Sequence, residues 1–231
     1  MKENIVIGVE GDVASGKTSI CRELVKTIPN SIFADAGSIA RAIVMGVKKS
    51  PLAIPTVIKL LMGKDVDSID LMKKIKLKFT IENGETAIYI KGKKLADKDI
   101  QTEKNSMGVS KYTSKVNTDS LYKFARDIIN KYRKEYNVIV SARDLVRIYP
   151  DMTAHVFITA SLEERVNRRY NQFNGKYSKD EIRDMIVSRD KMHEEAGYNN
   201  TYDKTVKVDV TDCKSAKESA DKVMKEIKIE I

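Results

Sequence analysis

The stretch Gly11-Asp12-Val13-Ala14-Ser15-Gly16-Lys17-Thr18 follows the apolar run Ile5-Val6-Ile7-Gly8-Val9 and precedes an amphipathic pattern. It fits the pattern Gly-x4-Gly-Lys-[Ser/Thr] of a phosphate-binding loop between a strand and a helix. Glycines let such a loop curl so that several N–H groups point inward, and the helix that begins there adds unpaired donors. Polyphosphate is the ligand that this geometry binds.

Two side chains of the loop have chemistry beyond that of the backbone. The Lys17 ammonium can reach the β- and γ-phosphates of a nucleoside triphosphate such as ATP, and the Thr18 hydroxyl is suited to Mg²⁺. Ala14 occupies an interior loop position and is tolerable there if its φ is negative. The expected ATP-binding residues are Gly11, Asp12, Val13, Ala14, Ser15, Gly16, Lys17, Thr18 and Ser19.

Apolar runs rich in β-branched residues alternate with amphipathic stretches, which is typical of βα units around a parallel sheet. The predicted core strands are residues 4–10, 31–35, 137–141, 154–159 and 205–210. Helix-start signals of the Ser-x-x-Glu type occur at Ser161, Ser178 and Ser215. The pattern predicts an α/β fold.

One section breaks this rhythm. Residues 75–81 alternate with period two, reach Asn83-Gly84 and resume at 86–90, which predicts a β-hairpin, and a turn at 91–94 suggests a third short strand. We therefore expect a small antiparallel insert over residues 64–111. The remaining residues, 1–63 and 112–231, would form the α/β core.

Phosphoryl transfer spreads negative charge over the oxygens between donor and acceptor, so its catalysts are mostly positioned cations. Arg143-Asp144 follows the strand ending at 141, at the edge where open parallel sheets bind ligands. A loop-tethering ion pair is the alternative for these two residues. Arg41 follows the strand ending at 35 and would point toward the phosphates, with surface charge as its alternative.

Further arginines lie on the two helices that follow Ser161 and Ser178. Arg165, Arg168 and Arg169 are on the first helix, where a solvated face is equally compatible with the pattern. Arg189 is spaced to share the apolar face of the second, three residues beyond Ile186. With the Asn174-Gly175 connector, residues of about 165–196 are predicted to form a lid that closes over the transferring phosphate.

Composition narrows the functional classes. The chain has 231 residues and a net charge of +9, from 42 basic and 33 acidic residues. The lysines are scattered over helix faces, so we expect a solvated surface and no stable nucleic-acid partner, although RNA binding through this charge stays open. No apolar run reaches the length of a membrane span, and only two cysteines occur. We therefore expect a cytoplasmic protein without membrane contact. We also expect it to be a monomer.

The order and spacing of these residues resemble the bacterial cytidylate kinase family over nearly the whole chain. The matching segments are Ile7 through Thr18, Asp35-Ala36-Gly37-Ser38-Ile39-Ala40-Arg41, Ala142-Arg143-Asp144, and Tyr149 through Arg169. The resemblance implies a doubly wound P-loop nucleotide kinase with a mostly parallel five-stranded sheet and a β-rich insert. It implies a nucleoside-monophosphate kinase that transfers the ATP γ-phosphate to CMP or dCMP with Mg²⁺.

By position, the family would assign roles to particular residues. Arg41 and Arg143 would hold the acceptor phosphate, and Ser110 and Asp144 would face the pyrimidine. Catalytic cations would be Lys17, Arg143, Arg165, Arg169 and Arg189, the last of these in the lid.

The chain departs from the family at several acceptor contacts: Ala36, Ala40, Asp119, His193 and Ala196. A sugar-binding carboxylate and a phosphate-binding arginine are thereby replaced. Because an unpaired polar site discriminates strongly against the wrong ligand, these changes could alter the acceptor. Two alternatives therefore stay open: a P-loop kinase with a different nucleotide-like acceptor, and a non-catalytic nucleotide-binding regulator.

Overall fold

A computed structural model describes residues 4–62, 64, 66–100, 102, 118–198 and 201–229. The chain forms two compact units, Met1–Phe33 with Tyr136–Ile231, and Ala34–Glu135. The domain boundaries expected at 63/64 and 111/112 stay a prediction, because residues 63 and 103–117 are not among those described.

The strands of the described residues are β1 (Val6–Gly11), β2 (Ser31–Asp35), β3 (Leu77–Glu82), β4 (Glu85–Ile90), β5 (Lys93–Lys94), β6 (Asn137–Ser141), β7 (Ala154–Thr159) and β8 (Thr205–Asp209). The helices are α1 (Lys17–Thr27), α2 (Ala36–Lys48), α3 (Ile54–Leu61), α4 (Ser68–Lys74), α5 (Asp97–Ile100), α6 (Thr118–Arg133), α7 (Leu145–Ile148), α8 (Leu162–Gln172), α9 (Lys179–Glu195) and α10 (Ala216–Ile227), with a 3₁₀ turn at Pro51–Ala53. Within these stretches, no helix is both long and apolar enough to cross a membrane.

The first unit is built on a parallel sheet with β1 at its centre. The strand order is β2-β6-β1-β7-β8; β1 is parallel to β6 and β7, and β7 is parallel to β8. Val6, Ile7 and Val9 are fully buried, as expected for a strand covered on both faces. Strand β1 lies between β6 and β7, which both come later in the chain. Open α/β sheets bind their ligands at such a switch point. The predicted α/β class and core strands are confirmed, but the sheet of the described residues has eight strands where five were predicted.

The second unit contains the predicted hairpin. Strands β3 and β4 are antiparallel, with Leu77 opposite Ile90, and β5 adds to β4 through Tyr89 and Lys94. Asn83 and Gly84 have φ of 53° and 75°, the paired positive values of a type I′ turn. Both the hairpin and the third strand are confirmed.

The three predicted helix starts are also confirmed. Ser161, Ser178 and Ser215 each accept a hydrogen bond through the side-chain oxygen from the backbone N–H three residues ahead. At Ser178 the Glu181 side chain returns the contact, completing a capping box. The first two caps fix where the helices that carry the arginines of the predicted lid begin.

Candidate active site

The loop after β1 has the conformation expected of a phosphate cradle. Asp12 N–H donates to the Ile158 carbonyl at 3.0 Å, which ties the loop to β7. Gly16 has φ of 94° and precedes α1, whose first turn receives no side-chain cap. The N–H groups at the start of this 11-residue helix are thus available to an anion.

Ala14 differs from the expectation of a negative φ. Its φ is 62°, in the left-handed region, where a residue with a Cβ costs on the order of 1 kcal/mol or more. Val13 and Ala14 pack against a small core of Val166, Ile182 and Ile186 from α8 and α9. This packing holds the strained alanine in place.

Gly11 is sterically required. Its φ is 147°, and a Cβ at this position would overlap the Ile158 carbonyl oxygen and lie 2.8 Å from the Ile158 nitrogen. Because these are backbone atoms of a central strand, they cannot move aside cheaply. We expect Gly11→Ala to lower the free energy of unfolding by about 3 kcal/mol, measured by urea denaturation.

Gly92 provides the matched control, since it also has positive φ but a Cβ there meets nothing within 4 Å. Gly92→Ala should cost only the backbone strain, about 1 kcal/mol. Equal losses in the two variants would contradict the steric explanation for Gly11.

Lys17, the first residue of α1, contacts the backbone of the loop. Its Nζ donates to the carbonyl oxygens of Gly11 at 2.8 Å and Asp12 at 2.6 Å. Burial, opposed by Asp12 and reinforced by the Arg143 and Arg189 cations, lowers the pKa of Lys17 to about 8. The buried Ser15 hydroxyl oxygen has no hydrogen-bond partner among the described residues. A cation destabilised by its surroundings and an orphaned hydroxyl both fit a polyphosphate ligand.

The lowered pKa of Lys17 predicts how nucleotide affinity depends on pH. Bound phosphate would favour the charged ammonium and raise this pKa, so binding above pH 8 must be accompanied by proton uptake. Affinity for ATP should therefore be highest below pH 8 and fall by up to about tenfold per pH unit above it. Calorimetry in buffers of different ionisation enthalpy measures the proton uptake; equal affinity at pH 7 and pH 9 would contradict it.

Predicted cations converge near Lys17. Arg143 and Arg189 both lie close enough to lower the pKa of Lys17. The pKa of Arg169 is lowered mainly by burial and further by Arg189. Arg189 is exposed, unlike the buried Ile182 and Ile186 that precede it on α9, but its charge still acts on Lys17. Like charges brought together in this way favour an anionic ligand.

His193, a replaced acceptor contact in the sequence analysis, adjoins this cluster, as does Tyr198, which was not expected as a site residue. Burial, then the cations Arg143, Arg189 and Lys17, lower the pKa of His193 to about 4, so the imidazole is neutral at pH 7. The Tyr198 ring lies edge-on to His193, with centroids 6.1 Å apart, and 5.7 Å from the Arg143 guanidinium carbon. An aromatic face at that distance attracts the cation.

Arg165 takes a position behind the loop. It donates to Asp190 at 2.5 Å and to the Val13 carbonyl at 3.2 Å, while Asp190 accepts from the Val13 N–H. Burial raises the pKa of the neighbouring Asp12, although the positive charge of Arg165 lowers it in part. The arginine and aspartate thus clamp the tip of the loop from α8 and α9.

The other two arginines of α8 have separate environments. Arg168 donates to the Ser15 carbonyl at 3.0 Å and the Val210 carbonyl at 2.7 Å, and pairs with Glu164, so it is not on a solvated face. Arg169 donates to Gln172 and lies 4.6 Å from the centre of the Phe173 ring. Arg168 therefore supports the loop backbone, and Arg169 lies beside the connector.

The expected acceptor residues are distributed over both units. In the first, Asp144 is 2% exposed and accepts from Arg147 at 3.3 Å. In the second, Arg41 lies over the Gly37 backbone at the start of α2, a helix capped by Asp35. Ser110 lies outside the described residues. Their roles toward an acceptor stay predictions.

Among the described residues, no group of three or more His, Cys, Asp or Glu side chains could hold a metal ion by itself. Thr18 and Ser19, at the start of α1, are exposed. A Mg²⁺ ion at such a site would be shared with phosphate oxygens, which is its usual manner of binding in kinases. The exposed Thr18 hydroxyl fits that arrangement.

Comparisons with known proteins agree with this geometry. The sequence model of the family described as "Cytidylate kinase" matches residues 7–229. The chain belongs to the cytidylate kinase family. A cytidylate kinase of Thermosipho africanus is 30% identical over 193 residues, covering 82% of this chain and 78% of that protein. One from Aquifex aeolicus is 30% identical over 193 residues, covering 80% and 78%.

A solved structure supports the fold independently of these relatives. An uncharacterized protein from Eubacterium ventriosum superposes with a TM-score of 0.50 at 15% identity, covering 97% of this chain and 98% of that one. At this identity the likeness concerns the fold alone. The chain is thus an α/β P-loop kinase of the cytidylate kinase family, an ATP-dependent phosphotransferase family by its name and motif.

Proposed function

We propose that this protein transfers the γ-phosphoryl group of Mg-bound ATP to CMP or dCMP. The observation that carries the proposal is the convergence of Lys17, Arg143 and Arg189 beside the uncapped first turn of α1. Membership of the cytidylate kinase family, and relatives named as cytidylate kinases, support the choice of acceptor.

The residues suggest a division of labour. The loop amides and the Ser15 hydroxyl would hold the β-phosphate, and Lys17 would exchange its two carbonyl contacts for phosphate oxygens. Thr18 would hold Mg²⁺, which when bound neutralises charge on the β- and γ-phosphates. Arg143 and Arg189 would stabilise the negative charge that spreads over the transferring group, so an in-line transfer would require no covalent intermediate.

The lid would contribute by excluding water. Helices α8 and α9 pack on Val13 and Ala14 through a core of their own and are fixed to Val13 by Arg165 and Asp190. Excluding water strengthens every charge interaction with the phosphates and suppresses hydrolysis of ATP. Arg165 would thus act indirectly, by holding the loop. Arg189 and Arg169 would act from the outer side of the loop.

A different nucleotide-like acceptor is the second candidate, and His193 favours it. The family has a sugar-binding carboxylate at this position, whereas the imidazole here is neutral because its pKa is lowered to about 4. A neutral ring cannot offer a sugar the two acceptor oxygens of a carboxylate. Sugar recognition would then differ from that of the relatives.

An acceptor panel tests these candidates. ADP formation is measured with ATP, Mg²⁺ and each of CMP, dCMP, UMP, AMP and GMP at equal concentrations. We expect CMP and dCMP to be phosphorylated fastest. Turnover of another acceptor with CMP and dCMP inert would replace the proposal by the second candidate, and ATP binding without any turnover would indicate a regulator.

A further inference from the structure

Glu10 is a carboxylate inside the central strand β1. Its side chain is 2% exposed, and its neighbours along the strand, Ile7 and Val9, are fully buried. A buried carboxylate is costly unless its oxygens are hydrogen-bonded. The proposed chemistry of Lys17 and the arginines makes no use of it.

One oxygen of Glu10 belongs to a buried hydrogen-bond chain. Oε2 lies 2.8 Å from His155 Nε2, and the His155 Nδ1 lies 2.9 Å from the Thr205 hydroxyl. Thr205 Oγ1 accepts from the Tyr202 N–H at 2.8 Å, which leaves its own hydrogen to donate to Nδ1. Nε2 then carries the imidazole hydrogen and donates to Glu10. In this arrangement the Glu10 carboxylate oxygen, both His155 ring nitrogens and the Thr205 hydroxyl all have hydrogen-bond partners.

The other oxygen of Glu10 holds a turn. Oε1 accepts from the Leu145 N–H at 2.9 Å, the first residue of α7. Asp144 caps this helix by position but contributes no side-chain cap, and its φ of 62° is strained for a residue with a Cβ. Glu10 thus supplies, from 135 residues away, the acceptor that the helix start lacks.

The position of Glu10 connects two parts of the site. It directly precedes Gly11 of the phosphate loop, and the turn that it holds carries Arg143. Arg143 is exposed and its guanidinium contacts the Tyr198 ring, so the backbone of the turn fixes where this long side chain starts. In a transfer reaction, a displacement of about 1 Å can cost about 10²-fold in rate.

We propose that Glu10, oriented by His155, is a positioning residue that fixes the Arg143–Asp144 turn relative to the phosphate loop. Its catalytic consequence rests on the proposed kinase function, whereas the contact with Leu145 does not. His155 acts only by holding the carboxylate in the orientation that reaches both partners. Thr205 in turn fixes the tautomer of His155.

The experiment compares His155→Leu with His155→Gln. Leucine removes the donor to Glu10, while the glutamine amide places an N–H near the position of Nε2. In His155→Leu, kcat with CMP should fall by about 10²-fold while KM for ATP changes by less than about threefold, because misplacement affects transfer more than donor binding. His155→Gln should recover most of that loss.

Amide hydrogen exchange provides a readout independent of catalysis. The Leu145 amide should exchange faster in His155→Leu and in Glu10→Ala, and should be protected again in His155→Gln. If the wild type proves inactive toward every nucleotide, the kinase proposal fails, and the exchange data still test the contact. If His155→Leu does not fold, Thr205→Val takes its place, with an expected fall of about fivefold in kcat for one lost hydrogen bond.

Two results would overturn the proposal. One is wild-type protection of Leu145 in a folded His155→Leu or Thr205→Val protein. The other is a uniform loss, in which melting temperature, kcat and KM for ATP deteriorate together and glutamine restores none of them, because that pattern indicates only a destabilised core.

Discussion

Replacing Lys17 with alanine is expected to lower kcat for phosphoryl transfer by about 10³-fold, the range for removing a charge that acts on the transferring phosphoryl group. The ammonium would otherwise bind the β- and γ-phosphates. The pKa of Lys17 is lowered to about 8, so the charged ammonium does not stabilise the folded protein. The Lys17→Ala variant should therefore keep the wild-type melting temperature. Steady-state ADP formation with CMP, together with thermal denaturation, measures both effects.

Lys26 offers a control on the same helix. It is exposed in the last turn of α1 and pairs with Glu23 at 2.7 Å, far along the helix from the loop. Lys26→Ala should leave kcat within about twofold, since exposed pairs contribute little. A Lys17→Ala enzyme with near wild-type kcat would show that the loop is not the donor site.

Arg143→Ala is expected to reduce kcat/KM for the acceptor by about 10²- to 10³-fold, because it removes a cation from the developing charge without replacing it. The side chain is exposed and its ring contact with Tyr198 contributes only about 0.5–1 kcal/mol, so the fold should persist. Arg143→Lys should recover part of the loss, since it keeps the charge but not the planar donor pair.

Arg183 is the matched control for Arg143. It is a partly exposed arginine on α9 whose guanidinium pairs with Glu163 at 2.7 Å. Arg183→Ala should retain kcat/KM within about twofold. If Arg183→Ala and Arg143→Ala were equally impaired, a general effect on surface charge would explain the loss, and the assignment of Arg143 to the acceptor phosphate would be wrong.

Local patterns in the sequence are enough to predict the framework. The core strands β1, β2, β6 and β7 are apolar runs whose residues are largely buried. Asn83-Gly84 specifies its turn through the φ values that those residues tolerate. The serine caps are short-range hydrogen bonds between residues three apart. Such features depend on neighbours along the chain, so they can be predicted without tertiary contacts.

The supports of the site could not be predicted in the same way. Asp190 reaches Val13 across 177 residues, and Arg168 reaches Ser15 across 153, so their partners have no periodic signature. Glu10 did give a signal, a carboxylate within an otherwise apolar strand, but its partner His155 lies 145 residues away. Ala14 adopted the strained φ because α8 and α9 pack over it, which loop propensity alone does not reveal.

Direct binding of Mg-ATP to the purified wild-type protein is the most decisive measurement. Titration calorimetry near pH 7 should give saturable binding of one nucleotide per chain with a Kd of about 1 µM to 1 mM, and Lys17→Ala should weaken it. Absence of any binding heat or displacement up to millimolar Mg-ATP would contradict a triphosphate site at Gly11–Ser19, and with it the kinase assignment.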